Sequence, residues 1–209
     1  MKKLVIFGAA GISKLAHFYF EKDSDYDVVA FCVDAAYRED ETFCDLPLVD
    51  FEKVTELYPP DSHDMFIAVS YVKMNQLRAD KFKAAKEMGY RLASYVSSHC
   101  TFLTEEPIGE NCFILEDNTI QPFVKIGNNV TMWSGNHIGH DVVIQDHNFI
   151  SSHVVVSGNV VVGESCFLGV NSTLHNDIKI ADKTLVAAGA LIKKDTDDIR
   201  DSLVPKLYR

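Results

Sequence analysis

Aliphatic residues recur at every sixth position between Ile108 and Ile192. Fifteen successive positions at this spacing hold isoleucine, valine, leucine or methionine, without a gap or a slip. Four positions after each of them the residue is usually small or of modest size, as at Cys112, Val124 and Ala190. A period of six is typical of a parallel β-helix, in which each hexad forms a short strand with its corner and three hexads complete a coil. The stretch 108–192 therefore predicts between four and five coils, with the aliphatic side chains stacked inside.

The first 97 residues follow a different pattern, in which short apolar runs alternate with helical spacing. The run LVIFGAA (4–10) predicts a strand, and apolar residues three and four apart from Ile12 to Tyr19 predict an amphipathic helix after it. Further strands are predicted over 27–34, 65–72 and 91–97, and further helices over 51–60 and up to Met88. Strands that alternate with helices predict a small parallel sheet. We therefore expect a Rossmann-like βαβ domain over 1–97, and a β-helix domain with a short C-terminal tail over 98–209.

Charge and cysteine usage narrow the class of protein. The formal net charge of −10 argues against a nucleic-acid partner or an anionic membrane surface, since either favours a basic face. No stretch approaches the ~20 apolar residues of a membrane span. The apolar start of the chain is interrupted by Gly8, Gly11 and Lys14, so it predicts a first strand rather than a signal peptide. The five cysteines are scattered and contain no C-x-x-C pair, which indicates reduced thiols in a cytoplasmic protein.

The turn Gly8-Ala9-Ala10-Gly11 joins the first predicted strand to the first predicted helix. A helix N-terminus at this point would offer backbone N–H groups to a phosphate. The G-x-x-G spacing lacks the complete G-x-G-x-x-G fingerprint, so a simple tight turn is an equal alternative and an oxidoreductase is not indicated. Asp34, at the end of the second strand, lies where such folds hold a ribose or a base, unless it only caps a turn.

The stretch IGHDVVIQDHNF (138–149) places a histidine beside an aspartate, His140 and Asp141, within the hexads. Counted from the aliphatic position i, the two residues occupy i+2 and i+3, so neither takes the inward position. None of the other histidines of this region takes that position either. Because the hexads contain no insertion, no loop of the same chain is expected to arch over the pair. A neighbouring subunit is the natural second wall of a pocket there, since solenoids commonly cover their exposed surface by association.

The unbroken hexads resemble a known group of enzymes, as does the run from SGNHIGHDVVI through SGNVVVGESCFLGVNS to VAAGALIKKD. They are similar to the bacterial sugar O-/N-acyltransferases of the left-handed β-helix superfamily. The closer resemblance is to the nucleotide-amino-sugar N-acetyltransferases, in which a βαβ domain precedes the helix. The resemblance implies a homotrimer, with acetyl-CoA as co-substrate in the crevice between two β-helices. It also implies that a UDP- or dTDP-linked sugar is held by the N-terminal domain.

The resemblance assigns roles to both residues of the His-Asp pair and to one glycine. His140 matches the general base of the family, and Asp141 matches the carboxylate that follows it. An imidazole with a pKa near 6.5 is suited to take the proton of an attacking amine, and an adjacent carboxylate orients it. Gly158 matches the position whose backbone N–H faces the thioester carbonyl, where a glycine permits close approach and oxyanion stabilisation.

Other positions have weaker assignments. Asn136 is a candidate to frame the amine, with a corner asparagine as the alternative, and His137 is a candidate second polar contact. The basic pair Lys193-Lys194 is a candidate contact for a coenzyme phosphate, with a solvated edge as the alternative. The histidine that follows the glycine turn in the family is absent here, since Ile12 and Ser13 follow Gly11.

The resemblance therefore implies an acetyl-CoA-dependent N-acetyltransferase that acts on a nucleotide-linked 4-amino-4,6-dideoxy sugar for a surface glycan. The alternatives are an O-acetyltransferase of the sialic-acid type, a metal-dependent hydratase of the γ-carbonic-anhydrase type, and a scaffold protein without activity. No two histidines of the β-helix are 18 residues apart, which argues against a histidine ladder within one chain, so no metal site is predicted.

Overall fold

The computed structural model describes residues 2–196, which divide into two compact units. The first unit extends to Ser70 and resumes over Leu77–Tyr95, and the second takes Tyr71–Gln76 and continues from Val96. Residues 71 and 72, which the sequence places in the third strand, therefore belong to the second unit. Within residues 2–196, none of the helices has the length and apolar character needed to cross a bilayer.

The first unit is a sheet with helices, and its elements are β1 Lys2–Phe7, α1 Gly11–Lys22, β2 Tyr26–Val33, β3 Thr42–Phe43, β4 Leu46–Asp50, α2 Val54–Leu57, β5 His63–Ile67 and α3 Gln76–Glu87. The strand order is β3-β4-β2-β1-β5. Strands β4, β2, β1 and β5 run parallel, and β3 forms an antiparallel hairpin with β4. Apart from β3, this is the third-second-first-fourth order of a Rossmann-like sheet.

Several elements of the first unit differ from the sequence prediction. The predicted strand over 65–72 ends at Ile67, and the helix over 51–60 is a 3₁₀ turn followed by the single turn α2. The predicted strand over 91–97 contributes only one isolated bridge from Leu92 and the two-residue strand β6, Tyr95–Val96. The hairpin β3–β4 was not predicted, because its two strands are short and Pro47 interrupts the pattern of strand-forming residues.

The second unit is a parallel β-helix of two-residue strands. They are β6 Tyr95–Val96, β7 Thr101–Phe102, β8 Phe113–Ile114, β9 Thr119–Ile120, β10 Lys125–Ile126, β11 Thr131–Met132, β12 His137–Ile138, β13 Val143–Ile144, β14 Phe149–Ile150, β15 Val155–Val156, β16 Val161–Val162, β17 Phe167–Leu168, β18 Thr173–Leu174, β19 Lys179–Ile180, β20 Leu185–Val186 and β21 Leu191–Ile192. They form three sheets, ordered β10-β13-β16-β19, β20-β17-β14-β11-β8-β6 and β21-β18-β15-β12-β9-β7. From β8 to β18, each strand pairs in register with the strand 18 residues further along, as Ile138 pairs with Val156.

The inward and turn positions follow the predicted period. The aliphatic positions from Ile114 to Ile192 are all buried, and so are the residues four places after those from Ile114 to Val186, such as Val124 and Val154. One residue in every hexad has a positive φ, at fourteen positions from Asn111 to Gly189. These fourteen are the i+3 places, where the chain turns each corner in the left-handed conformation that glycine, asparagine and aspartate tolerate best. The predicted coil of three hexads is confirmed.

Candidate active site

The His140-Asp141 pair is formed by the corner after β12. Ile138 fills the core, His140 leaves the coil two residues later, and Asp141 takes the turn position with a φ of 58°. The left-handed residue turns the chain at the corner, and its carboxylate lies beside the preceding side chain. As a result, His140 Nδ1 lies 2.9 Å from Asp141 Oδ2, and the side chains are 57% and 51% exposed. Two residues adjacent in sequence therefore form a hydrogen-bonded pair on the surface.

Gly158 lies one coil further on, at the same corner place as His140. A Cβ atom at Gly158 would lie 2.7 Å from His140 Nε2 and 2.8 Å from Cε1, so the imidazole covers the glycine backbone. Since Nδ1 faces Asp141, the Nε2 atom is the ring nitrogen available to a substrate, and no described residue hydrogen-bonds to it. The glycine is required by this close approach.

The Gly158 N–H is the natural candidate for an oxyanion donor. Within the described part of the chain, nothing accepts a hydrogen bond from it, and the residue is half-buried beside the imidazole. The corresponding N–H of His140 is donated to Gln121 Oε1 at 2.9 Å. A base nitrogen and an unused backbone donor thus lie on adjacent coils, which is the pair of groups that acyl transfer requires.

Lys193 and Lys194 directly follow the last strand, β21, and both are exposed. Lys194 lies 54 residues after His140, so it takes the same corner place three coils further on. With neighbouring coils about 4.8 Å apart, three coils span roughly 14 Å along this corner. The lysine pair is therefore aligned with the His140 corner and some distance from the imidazole.

The interpretation of Asn136 as an amine contact is wrong. Its side chain is buried, and both polar atoms of its amide bond to the corner backbone. The Nδ2 group donates to Trp133 O, and Oδ1 accepts the N–H of Val154 at 2.7 Å. Asn118 occupies the same place one coil earlier with a similar set of bonds. Asn136 therefore satisfies buried backbone groups and leaves no amide atom for a substrate.

His137 is exposed on the outer face of β12, three residues before His140. Other histidines take part in local packing. His147 Nδ1 pairs with Asn129 Nδ2 at 2.9 Å, His153 covers Gly135, and His175 Nδ1 lies 3.3 Å from a backbone carbonyl. Among residues 2–196, no three histidine, cysteine, aspartate or glutamate side chains are grouped so that they could hold a metal ion.

The glycine turn of the first unit is shaped by packing as well as by the helix that follows. Gly8 has a φ of 122°, and a Cβ atom there would lie 2.4 Å from Ser13 Oγ and 2.7 Å from Ala68 O. Ser13 is completely buried, and its hydroxyl donates to Ala68 O at 3.2 Å. Gly11 begins α1, and the space around its Cα is open. Gly8 is thus explained by steric contact, while Gly11 leaves the helix N-terminus accessible.

Asp34 follows β2 and forms an ion pair with Lys81 of α3. The Lys81 Nζ atom also lies 5.1 Å from the ring centre of Phe7 and 5.0 Å from that of Phe51. Sequence reasoning missed Lys81, because 47 residues separate the two partners and no local spacing links them. The acid and the base are held together at the carboxyl ends of the parallel strands, where ligands of such sheets bind.

Neither of two surface cavities is lined by the His140-Asp141 pair. One, of about 420 Å³, is lined by Gly127 and Asp146, and the other, of about 560 Å³, by Phe18 and Cys44. His140 and Asp141 lie outside both cavities.

Sequence comparison gives a partial match to a curated protein. No protein-family profile matches the sequence. Over 79 residues, the chain is 28% identical to "Putative acetyltransferase YvoF" of Bacillus subtilis (strain 168), and the match covers 38% of this chain and 45% of that protein. The chain thus matches less than half the length of this relative.

Solved structures cover far more of the chain. The acetyltransferase domain of PglB from Neisseria gonorrhoeae FA1090 superposes with a TM-score of 0.78 at 18% identity, covering 95% of this chain and 94% of that one. The same domain has been solved with acetyl coenzyme A. A mutant of perosamine N-acetyltransferase from Caulobacter crescentus, in complex with CoA and GDP-perosamine, gives 0.78 at 20% identity, covering 93% and 90%. WeeI from Acinetobacter baumannii AYE gives 0.77 at 20% identity, covering 93% of each chain.

At these identities the likeness establishes the fold, and the predicted resemblance is confirmed at that level. The chain consists of a Rossmann-like unit followed by a left-handed parallel β-helix, as in the bacterial sugar acetyltransferases.

Proposed function

We propose that the chain is an acetyl-CoA-dependent N-acetyltransferase that acts on an amino sugar linked to a nucleotide. The observation that carries this proposal is the His140-Asp141 pair, with the Nε2 atom of His140 exposed beside the unused N–H of Gly158. A base and an oxyanion donor on one corner fit acyl transfer from a thioester. The solved relatives with acetyl-CoA or CoA bound support acetyl-CoA as co-substrate.

In the proposed reaction the sugar amine attacks the thioester carbonyl directly. The new C–N bond forms while His140 Nε2 accepts a proton from the amine, and Asp141 stabilises the imidazolium through Nδ1. The carbonyl oxygen gains negative charge, which the Gly158 N–H stabilises. When the tetrahedral intermediate collapses, the C–S bond breaks and CoA leaves as its thiol after taking up the proton. No covalent enzyme intermediate is needed, because the thioester is already activated.

For the coenzyme, we propose that Lys193 and Lys194 contact a phosphate group. They lie along the same edge of the β-helix as His140. The net charge of the chain, −10, otherwise disfavours an anionic ligand. Arginine or lysine beside phosphate is a common charge-assisted contact.

For the nucleotide sugar, we propose Gly8, Gly11 and Asp34 as contacts of the nucleotide, with Lys81 holding Asp34 in place. His137, exposed near the dyad, is a candidate contact of the sugar. The predicted nucleotides are UDP and dTDP, and the predicted sugar is a 4-amino-4,6-dideoxy sugar. Since a solved relative binds GDP-perosamine, GDP-linked sugars belong in the test as well.

The experiment is to measure thiol release from acetyl-CoA with UDP-, dTDP- and GDP-linked amino sugars, and to weigh each product by mass spectrometry. We expect one 4-amino sugar to gain an acetyl mass while its non-amino analogue does not. Acetylation of the non-amino analogue would instead support a sugar O-acetyltransferase. A stoichiometric zinc without any acetyl transfer would favour the hydratase alternative.

The variant His140→Ala tests the base. A general base contributes about 10²- to 10⁴-fold, so we expect a loss of that order at neutral pH. For an amine substrate, part of the rate should return as the pH rises towards the pKa of the amine, because solvent then removes the proton. A variant whose rate stays flat and low across the pH range would contradict the amine assignment.

A further inference from the structure

At most corners of one edge of the β-helix, a side chain from the next coil accepts the N–H of the residue at i+2. The N–H groups of Glu110, Asn128 and Glu164 are each bonded to a carboxylate or amide oxygen 18 residues further on. The distances are 2.9 Å to Asn128 Oδ1, 2.7 Å to Asp146 Oδ1 and 2.8 Å to Asp182 Oδ1. These three corner peptides are thereby bonded to the next coil.

The corner of His140 lies on another edge of the β-helix and cannot use this arrangement. The residue 18 places further on is Gly158, which has no side chain, and its Cα is covered by the imidazole. An asparagine or aspartate there would collide with the ring, since even a Cβ atom would lie 2.7 Å from Nε2. The glycine that accommodates the base therefore leaves the His140 peptide without a side-chain acceptor of this kind.

Gln121 supplies an acceptor from the opposite side. It lies on the preceding coil, and its Oε1 atom accepts the His140 N–H at 2.9 Å. The Gln121 backbone is itself fixed, because its N–H donates to Ile138 O at 3.0 Å. The bond holds the peptide between Gly139 and His140, which sets the direction in which the His140 side chain leaves the coil.

We propose that Gln121 is a positioning residue for the His140-Asp141 pair. By holding the His140 peptide, it keeps Nδ1 within 2.9 Å of Asp141 Oδ2 and Nε2 above Gly158. The expected effect of Gln121 on the reaction rate rests on the proposed acetyltransferase function, whereas its expected effect on the His140 peptide does not. The two effects are therefore tested separately.

The structural test follows the exchange of the His140 amide hydrogen in protein labelled with ¹⁵N-histidine. The chain has eight histidines, and His140→Ala identifies the signal by its loss. In Gln121→Met, which keeps the length of the side chain but removes the acceptor, exchange of this amide should be about tenfold faster. Gln121→Glu keeps an acceptor and should retain the protection. Unchanged exchange in Gln121→Met would overturn the proposal, whether or not a substrate has been found.

The kinetic test uses a double-mutant cycle. Gln121→Met should lower kcat about tenfold with little change in the KM for acetyl-CoA, because a misplaced base loses rate without losing the coenzyme. Gln121→Glu should restore most of the rate. In the His140→Ala background, Gln121→Met should have no further effect, since there is no base left to position.

Gln145→Met is the matched control, because Gln145 takes the same hexad place and the structure gives its side chain no bond to the His140 peptide. Equal losses in Gln121→Met and Gln145→Met, or additive losses in the double mutant with His140→Ala, would contradict the positioning role. If the wild type acetylates no amino sugar, the proposed function fails, and the amide exchange still decides the role of Gln121.

Discussion

Asp141 both forms the corner turn and hydrogen-bonds to His140. The turn position needs a residue that tolerates a positive φ, and aspartate is among those that do. The same conformation brings its carboxylate to 2.9 Å from His140 Nδ1. Asp117 and Asp177 occupy equivalent turns with φ values of 58° and 61°, so an aspartate alone does not mark an active corner. The histidine beside it and the glycine one coil away distinguish this corner from the others.

The variant Asp141→Asn separates these two roles. Asparagine also tolerates the left-handed turn, so the free energy of unfolding should stay within about 0.5 kcal/mol of the wild type. The loss of the carboxylate leaves the imidazolium without its charged partner, and we expect kcat to fall at least about tenfold. The matched control is Asp117→Asn, an exposed turn aspartate of another corner, whose kcat should not change. Equal effects in the two variants would show that Asp141 has only a turn role.

Phe123 is the exception among the fourteen turn residues. It is the one apolar side chain at these positions, it has a φ of 68°, and it is 64% exposed. A bulky side chain in the left-handed conformation costs roughly 1–2 kcal/mol. Phe123→Asn should therefore raise the free energy of unfolding by about 1 kcal/mol, as measured by urea denaturation. Lys183→Asn, at an equivalent turn with a φ of 57°, should give a smaller gain. A loss of stability in Phe123→Asn would show that the ring is covered in the assembled protein.

At the scale of elements, the β-helix could be predicted and much of the first unit could not. The hexads identify the inward residues because each coil repeats the same environment, so fifteen positions carry one signal. The Rossmann-like sheet has no such repetition, and its short edge hairpin β3–β4 is formed by contacts with β2 and not by a strong local pattern. For the site, Asn136 shows what sequence cannot predict. The sequence places this residue near His140, but it does not reveal that its amide bonds to the corner backbone.

The segment Tyr71–Gln76 is another element that the pattern could not reveal. The Tyr71 ring lies 5.1 Å from Phe149 and 4.7 Å from Phe167, on the outer face of the helix. Asn75 is buried, and its Nδ2 group donates to Cys166 O at 3.0 Å. Residues 73–75 all have positive φ values. In sequence, an apolar run whose last residues pack on the β-helix cannot be distinguished from a run that continues a strand.

The corrected role of Asn136 leads to a prediction about stability. Asn136→Ala should leave the buried N–H of Val154 without its acceptor at 2.7 Å and create a small void. An unsatisfied buried group costs about 1–3 kcal/mol, so we expect a loss of that size in the free energy of unfolding. The kcat of the folded fraction should change little, because no atom of the amide is available to a substrate. A large fall in kcat with unchanged stability would restore the original interpretation of Asn136.

The first unit contains a carboxylate whose ionisation should stabilise the fold. Asp64 of β5 accepts hydrogen bonds from Tyr26 at 2.6 Å and from Arg91 Nε at 3.0 Å. Burial acts to raise the pKa of Asp64, but the bonds and charge of Arg91 and the bond from Tyr26 outweigh it and lower the pKa below its usual value. Because the folded pKa is depressed, the stabilisation is complete above the unfolded pKa of about 3.9 and is lost as the pH falls through the folded pKa.

Asp64→Asn should therefore destabilise the protein at neutral pH and have less effect in acid. We expect a loss of about 1 kcal/mol near pH 7, a modest value because Arg91 is half-exposed to solvent. The difference from the wild type in urea denaturation should shrink as the pH falls below about 4. Asp27→Asn, an exposed position of β2, is the control. A difference that stays constant from neutral pH to acid would contradict the pKa argument.

At the scale of the whole molecule, we expect the exposed His140-Asp141 pair to be covered by another copy of the chain. His140 and Asp141 are both more than half exposed, and neither borders either of the two surface cavities. The sheet that contains β12 also presents apolar side chains to solvent, with Val155 37% and Leu191 54% exposed. Exposed apolar surface of this kind often marks an interface, so we expect another copy of the chain to pack against it.

We expect light scattering to give three times the 23.4 kDa mass of the chain. Val155→Arg places a charge on the face that leads into the His140 corner, so it should dissociate the trimer and remove activity together. Val170→Arg is the control, since Val170 is 43% exposed at a different corner and should leave both unchanged. Dilution of the wild type should lower the specific activity in step with the loss of trimer, because each monomer keeps the His140-Asp141 pair but loses the opposing wall. A monomeric Val155→Arg protein with full activity would show that one chain holds the complete site, and the two lysines and Gly158 would then have to bind the coenzyme without a second subunit.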